Sequence, residues 1–168
     1  VTPTGALLRF SPDARFGHRV KVEGTVTLAG RDFLFLQDAT DGVEIRGDTS
    51  AFRAGDRLDA IGYPTLAGRY SPVITDAEFR LLGHAGAVAP KSVTADSVLQ
   101  GHQDSTLVTL EGRLLTLVRT PARETLVLQS GMRTFTAQRE TSDQGVNPLP
   151  VKRGSLRRLT GVVSTQVD

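Results

Sequence analysis

The sequence predicts an all-β protein made of two copies of one small barrel. Three observations carry this. Gly, Thr and β-branched residues are frequent in a chain whose apolar content is 39%, a composition that favours strands. Short runs alternate apolar and polar residues between clusters of turn residues. The pattern that fills residues 19–83 then returns from residue 105 onward.

In the first copy, Val20, Val22, Gly24, Val26 and Leu28 alternate with Lys21, Glu23, Thr25 and Thr27. Successive side chains of a strand point to opposite faces, so this strand is half-buried. Ala29-Gly30 supplies a turn, and the run Phe33–Leu36, apolar on both faces, predicts a strand covered on both sides. Asp41 and Gly42 both tolerate positive φ and lie between β-like runs, which predicts a tight hairpin there. Gly55-Asp56 opens a fourth strand, Arg57 to Tyr63, and the loop Pro64–Ser71 leads to a fifth, Val73 to Leu82. A glycine inside the first strand suits the sharp bend of a small barrel. Five short strands of this kind predict the five-stranded Greek-key barrel of the OB type.

The second copy follows the first with growing offsets. Val108-Thr-Leu-Glu-Gly112 stands 88 residues after Val20-Lys-Val-Glu-Gly24, Leu126-Val-Leu-Gln129 stands 92 after Leu34-Phe-Leu-Gln37, and Gly161 stands 99 after Gly62. Offsets that grow only across loops are those of a duplicated fold with loop insertions.

The expected organisation is a lead-in over 1–18, a barrel over 19–83, a linker with a short helix over 84–104, and a second barrel over 105–168. In the lead-in, Ser11 before Pro12 reads as a helix start and Gly17 as its end. Thr94 caps the second short helix, which runs to Leu99. Thr120–Arg123 lengthens the first hairpin of the second barrel, Thr141–Pro150 forms an irregular loop, and Arg157 falls where the first copy has Leu58. After the strand Leu156–Val163 five residues remain. The second barrel is therefore expected to lack its fifth strand or to borrow one. The opening on Val1 rather than Met reads as a processed or excised form.

Net charge is +2 although the pI is 9.4. Three lysines stand among many arginines, with acids interspersed, which reads as a mixed solvated surface. Absence of cysteine excludes disulfides and thiolate metal sites. No apolar run approaches the roughly 20 residues of a membrane helix. His18, His84 and His102 lack the spacing of a zinc site, and Asp38-Ala-Thr-Asp41-Gly42 lacks the alternating acids and closing glutamate of a calcium loop. No nucleophile elbow, P-loop or dinucleotide motif occurs. The expectation is a protein without catalysis, cofactor or metal.

OB barrels bind across one face framed by the loops after strands 1 and 4. Those loops place Arg31, Tyr63, Arg69 and Tyr70 as candidate ligand-binding residues, able to stack a base or a sugar ring. With 5% aromatics, mostly phenylalanines at core-like positions, the residues argue against nucleic acid as the partner.

Val-Lys-Val-Glu-Gly-Thr-Val-Thr, Phe-Leu-Phe-Leu-Gln-Asp-Ala-Thr-Asp-Gly-Val-Glu-Ile and Phe-Arg-Ala-Gly-Asp-Arg-Leu-Asp-Ala-Ile-Gly resemble a bacterial family. They are similar to the OB-like repeats in the extracytoplasmic N-terminal regions of two-component sensor histidine kinases and related signalling proteins. The resemblance covers most of residues 10–168, and the matched residues are strand and turn positions. It implies a periplasmic sensory or interaction module that binds a small ligand or a periplasmic protein. It further implies that the chain continues into a membrane segment and a kinase-type output, with homodimerisation open. The alternatives are a single-stranded nucleic-acid-binding OB protein, whose binding would be steeply salt-dependent, and a polysaccharide-binding accessory domain of a secreted enzyme.

Overall fold

A computed structural model describes residues 1–7, 18–66, 71–101, 103–141 and 149–165. Within them, β1 (Val20–Ala29), β2 (Phe33–Gln37), β3 (Gly42–Arg46), β4 (Asp56–Thr65) and β5 (Val73–His84) close a barrel in the order β1-β2-β3-β5-β4. β1 pairs antiparallel with both β2 and β4. β5 lies antiparallel to β4 and closes the wall by running parallel to β3 through Ile45↔Ile74. This is the OB order, as expected.

Alternation selects the core. Val22, Val26, Leu34, Leu36, Val43, Ile45, Leu58, Ala60 and Ile74 are all buried inside the barrel. Gly24 sits between Val22 and Val26 because a Cβ there would stand 2.6 Å from the Gln37 carbonyl oxygen. Only glycine lets β1 coil that closely over β2.

The second copy is built from β6 (Lys91–Ser92), β7 (Leu107–Arg119), β8 (Arg123–Ser130), β9 (Arg133–Glu140) and β10 (Leu156–Val162). Its path is β10-β7-β8-β9, with β6 parallel to the start of β7. The register repeats that of the first copy: Gly112↔Arg157 stands for Gly24↔Leu58, and Leu126↔Ala137 for Leu34↔Ile45. Among the described residues no strand joins β9 to β10, so the place that β5 fills in the first barrel is open. The core is correspondingly small. Leu114, Leu126 and Leu128 are buried, with Leu117, Phe135, Ala137, Leu149, Val151 and Leu159 partly buried around them.

Each copy is entered through a short helix, α1 (Thr4–Leu7) and α2 (Ala95–Leu99). The entry geometry repeats as well: Thr2 N–H donates to Lys21 and Val93 N–H to Thr109, the equivalent carbonyl. Thr94 caps α2 as expected, in a capping box with Ser97. The helix expected over Ser11–Gly17 lies outside the described residues. The copies meet where the Leu107 N–H donates to Gln37 Oε1 at 3.0 Å.

Two local expectations are corrected. Neither Asp41 nor Gly42 has positive φ. The β2–β3 turn instead closes from Asp38 to Asp41, with the Asp38 carboxylate accepting the N–H groups of Thr40 and Asp41. Gly42 is glycine because a Cβ would lie 2.0 Å from the carbonyl oxygen of Ser105, where the second copy begins. The lengthened hairpin of the second copy is lengthened in its strands, not its loop. Gly30 N–H to Phe33 and Thr120 N–H to Arg123 close equivalent turns, but β7 and β8 pair on to Arg119↔Glu124 while β1 and β2 stop at Ala29↔Leu34.

Candidate functional site

The expected ligand face of the first barrel is largely occupied by the protein itself. Arg31 is exposed in the β1–β2 turn and makes no hydrogen bond or ion pair among the described residues. Tyr63 is 37% exposed on β4, but the Arg19 guanidinium lies over its ring at 5.6 Å, and Arg19 pairs with Glu78 at 2.6 Å. A base stacking on that side of Tyr63 would have to displace a cation already in place. Arg69 and Tyr70 lie outside the described residues. The outer face of β2 and β3 is covered too: Phe35, set edge-on against Phe33, is 6% exposed and Glu44, opposite it, is 4% exposed.

The second sheet presents the opposite situation. Register places Arg113, Gln129 and Thr134 side by side on its outer face, with Val127↔Thr136 and Thr125↔Gln138 below them. Arg113, Gln129, Thr134, Thr136 and Gln138 are exposed. The face thus offers amide and hydroxyl groups beside a guanidinium. Further across it, the Thr109 and Thr160 hydroxyls bond at 2.8 Å and Arg158 pairs with Glu111 at 2.8 Å.

At one end of this face, the turn Lys152–Ser155 is clamped onto β7. The Ser155 N–H and hydroxyl both donate to the Lys152 carbonyl, at 3.1 and 2.5 Å. Gly154, at φ 84°, donates to the Leu114 carbonyl at 2.7 Å, and the Leu114 N–H returns a bond to Ser155 at 2.9 Å. Arg113 reaches the Gly154 carbonyl through its guanidinium at 2.6 Å. Lys152 and Arg153 therefore project into solvent next to Arg113. None of the three has a carboxylate partner among the described residues.

The first barrel has the same turn with different charge. Arg53-Ala54-Gly55-Asp56 closes identically, with Gly55 N–H on the Val26 carbonyl at 2.9 Å and Asp56 N–H on Arg53. Here the acid at the fourth position neutralises the turn. Asp56 bonds His84 Nδ1 at 3.0 Å and accepts the Arg53 N–H at 3.0 Å, and its carboxylate lies 3.9 Å from the Arg53 side chain. The His84 bond first, then the Arg53 N–H, hold its carboxyl below the ordinary range. In the second copy Ser155 replaces Asp56, Arg153 replaces Ala54 and Arg113 replaces Thr25. The wider charge follows the same division. Residues 1–104 carry eleven Lys and Arg against thirteen acids, a net of −2, and residues 105–168 carry nine against five, a net of +4.

Other arginines of the second sheet are committed to structure. Glu124, 2% exposed, holds Arg119 at 2.9 Å and Arg139 at 2.6 Å and accepts the Leu149 N–H at 3.4 Å. These bonds, Arg119 foremost, lower its carboxyl below the usual range. Among the described residues no group of three or more His, Asp or Glu could hold a metal ion. The basic turn was not among the sequence candidates. Its signal was the alignment of Arg-Ala-Gly-Asp with Lys-Arg-Gly-Ser at an offset of 99, hidden when charge was counted over the whole chain.

No family model and no curated protein matches the chain. Among solved structures it is similar to a murine DNA-binding protein bound to double-stranded DNA, at 10% identity and a TM-score of 0.44, over 82% of this chain and 81% of that one. It is also similar to a structure described as structural mimicry for functional antagonism, at 9% identity and a TM-score of 0.39, over 86% of this chain and 84% of that one. At this similarity no residue role or activity carries over. The expectation of a sensor module is corrected by this finding, which is a likeness to a DNA-bound protein. The expectation that argued against nucleic acid as a partner is corrected with it. That expectation rested on the scarcity of exposed aromatics, which bears on base stacking and not on phosphate contacts, and the separate reading of a mixed surface fails at the Lys152–Ser155 turn.

Proposed function

We propose that this chain is a non-catalytic nucleic-acid-binding module that holds the phosphate backbone on the outer face of its second sheet. The observation that carries this reading is the basic turn. Arg113, Lys152 and Arg153 stand together without a carboxylate partner among the described residues, in the position that the first barrel neutralises with Asp56. A guanidinium offers paired donors to phosphate oxygens and an ammonium adds a point charge, so the cluster is chemically matched to consecutive phosphates. Exposed Gln129, Thr134, Thr136 and Gln138 extend it with neutral hydrogen-bonding groups that suit sugar and phosphate oxygens. The only aromatic residue in 105–168 is Phe135, which packs in the core. Base stacking is therefore absent from this face, and binding tolerates any sequence.

The test is fluorescence anisotropy with a labelled oligonucleotide, single-stranded and duplex, across a salt series. Three phosphate contacts give a log–log salt slope of about −2 on a single strand and about −3 on duplex. Replacing Arg113, Lys152 and Arg153 together with alanine removes most of the binding and flattens the slope, while Arg31→Ala leaves both unchanged. Salt-insensitive binding, or binding that the triple variant retains, contradicts the proposal. Salt-insensitive binding of a neutral glycan in its place would favour the polysaccharide alternative.

A further inference from the structure

We propose that the outer face of the second sheet is a binding surface for double-helical RNA, engaged across its minor groove through the ribose 2′-hydroxyls. This inference rests on the nucleic-acid reading above and narrows it to one class of nucleic acid. It starts from a difference between the two copies. Register makes Gln129, Val127, Thr136 and Thr134 the equivalents of Gln37, Phe35, Glu44 and Gly42. In the first copy that patch is an internal contact. Gln37 Oε1 holds the Leu107 N–H at 3.0 Å, the Gly42 backbone lies against Ser105, and Phe35 and Glu44 are buried. In the second copy Gln129, Thr134 and Thr136 are exposed. Thr134 also bars a repeat of the first packing mode, since a Cβ on Gly42 would stand 2.0 Å from the Ser105 carbonyl oxygen.

The chemistry of this open face is that of sugar edges. Its rows run from Arg113–Gln129–Thr134 through Thr116–Val127–Thr136 to Val118–Thr125–Gln138, and Arg113 is their one charge. The side chains of Thr116, Thr134, Thr136 and Gln138 make no hydrogen bond among the described residues. Thr109 and Thr160, further across, bond each other instead. The Gln129 amide is aimed by its bond to the Gly131 carbonyl at 3.1 Å. Hydroxyls and side-chain amides both donate and accept. A ribose 2′-hydroxyl does both as well, and deoxyribose lacks it. The cations stand at one edge, in Arg113 and the Lys152–Ser155 turn that it reaches. Charge therefore holds the phosphates at that edge, and neutral groups face the sugars.

Shape selects the same partner. β7, β8 and β9 lie side by side, and three strands span about 10 Å from the first axis to the last before side chains are added. The B-form minor groove is about 6 Å wide and the major groove admits a two-stranded ribbon, so a three-stranded face enters neither. The A-form minor groove is wide and shallow, and it displays the 2′-hydroxyls. Single strands are held by stacking on aromatic side chains, and the one aromatic of this copy, Phe135, packs inward.

Fluorescence anisotropy on duplexes of one sequence, made of RNA, of DNA and of 2′-fluoro RNA, tests this, with single-stranded RNA as a fourth probe. The RNA duplex should bind at least about tenfold more tightly than the DNA duplex, as a few neutral hydrogen bonds of roughly two- to tenfold each would give. The 2′-fluoro duplex keeps the A form but donates no hydrogen bond from that position, and it should lose most of this gain. Single-stranded RNA should bind more weakly than the RNA duplex. Combining Thr134→Val with Thr136→Val removes two hydroxyls and keeps the branched shape that suits a strand. It should bring the RNA and DNA duplexes to within about threefold of each other, with the salt slope still set by Arg113, Lys152 and Arg153. If that variant does not fold, the four probes on the unaltered protein decide. Salt-dependent binding with equal affinity for the RNA and DNA duplexes, or with full affinity for the 2′-fluoro duplex, overturns this inference and leaves the nucleic-acid reading in place. A single strand bound most tightly does the same. Absence of salt-dependent binding to all four probes removes both readings.

Discussion

The first barrel and the second sheet share a register, two strand glycines and an entry helix, yet among the described residues the first closes into a barrel while the second leaves β9 and β10 unjoined and carries a basic turn. The difference rests on a few positions. Leu58 becomes Arg157 inside the wall, Asp56 becomes Ser155 in the turn, and Ile45 becomes Ala137 beside the place of the fifth strand. A closed barrel needs apolar pairs across every seam and neutral turns at its rim. In the second copy those positions differ, and the Lys152–Ser155 turn leaves its cations in solvent. The pairing register is kept because the glycines and the inward leucines of the first three strands are kept, and these fix which side of each strand is inside.

The largest effects should separate the two cores. Leu34 and Leu126 hold equivalent positions, but Leu34 belongs to a nine-residue buried cluster and Leu126 to one of three. Leu34→Ala should cost about 3–5 kcal/mol in urea denaturation, and Leu126→Ala about 1–2 kcal/mol because the open wall collapses into the space. Equal costs would mean that the second sheet is as tightly closed as the first.

The strand glycines sharpen the same contrast. A Cβ on Gly24 meets a backbone carbonyl at 2.6 Å, whereas on Gly112 it meets the Leu128 and Phe135 side chains at 3.0 Å. Gly24→Ala should therefore destabilise by about 2–3 kcal/mol and Gly112→Ala by less than about 1 kcal/mol, since side chains at an open wall can shift. Thermal unfolding of the two variants checks this.

The entry helices differ in what docks them. Asp38 accepts bonds from Thr4 N–H at 2.8 Å and its hydroxyl at 2.7 Å, fixing α1. Burial works against its ionisation, but the hydrogen bonds from Thr4, Thr40 and Asp41 outweigh it and bring its pKa down from 3.8 to about 2. A carboxyl depressed in the folded state binds fewer protons than in the unfolded one. Its contribution is complete above about pH 4 and is lost as pH falls through about 2. In the second copy α2 leans on the exposed pair Asp96–Arg133 at 2.7 Å, which salt screens. Acid should loosen α1, and salt α2. Amide exchange at Thr4 and Ser97 distinguishes them, and identical responses would contradict the contrast.

The smallest change should transplant the neutral turn. Ser155→Asp restores the acid of the first copy and should weaken oligonucleotide binding about three- to tenfold through the loss of roughly one phosphate contact, with stability unchanged within about 0.5 kcal/mol. An unaltered affinity would remove the turn from the interface.

Much of the fold was legible in the sequence because it rests on local alternation. The inward set of β1, the doubly buried β2 and Gly24 all follow from strand period and bend, and Arg157 stood out against Leu58 once the copies were aligned. The φ of Asp41 and Gly42 was misread because the constraint on Gly42 comes from Ser105, a contact between copies that no local pattern encodes. The occupancy of the expected ligand face was not legible for a similar reason. Arg19 over Tyr63 and the covering of Phe35 and Glu44 are long-range facts. The basic turn was present in the sequence but cancelled in a whole-chain net of +2.

The most direct test of the two-copy contrast is a titration of the isotopically labelled protein with a short oligonucleotide, followed by backbone and side-chain NMR shifts. The expected result is that shifts concentrate on Arg113, Gln129, Thr134, Thr136, Lys152 and Arg153 while Arg31, Phe35 and Tyr63 stay still. Shifts confined to the first barrel, around Arg31 and Tyr63, would contradict the assignment of the second sheet as the nucleic-acid face.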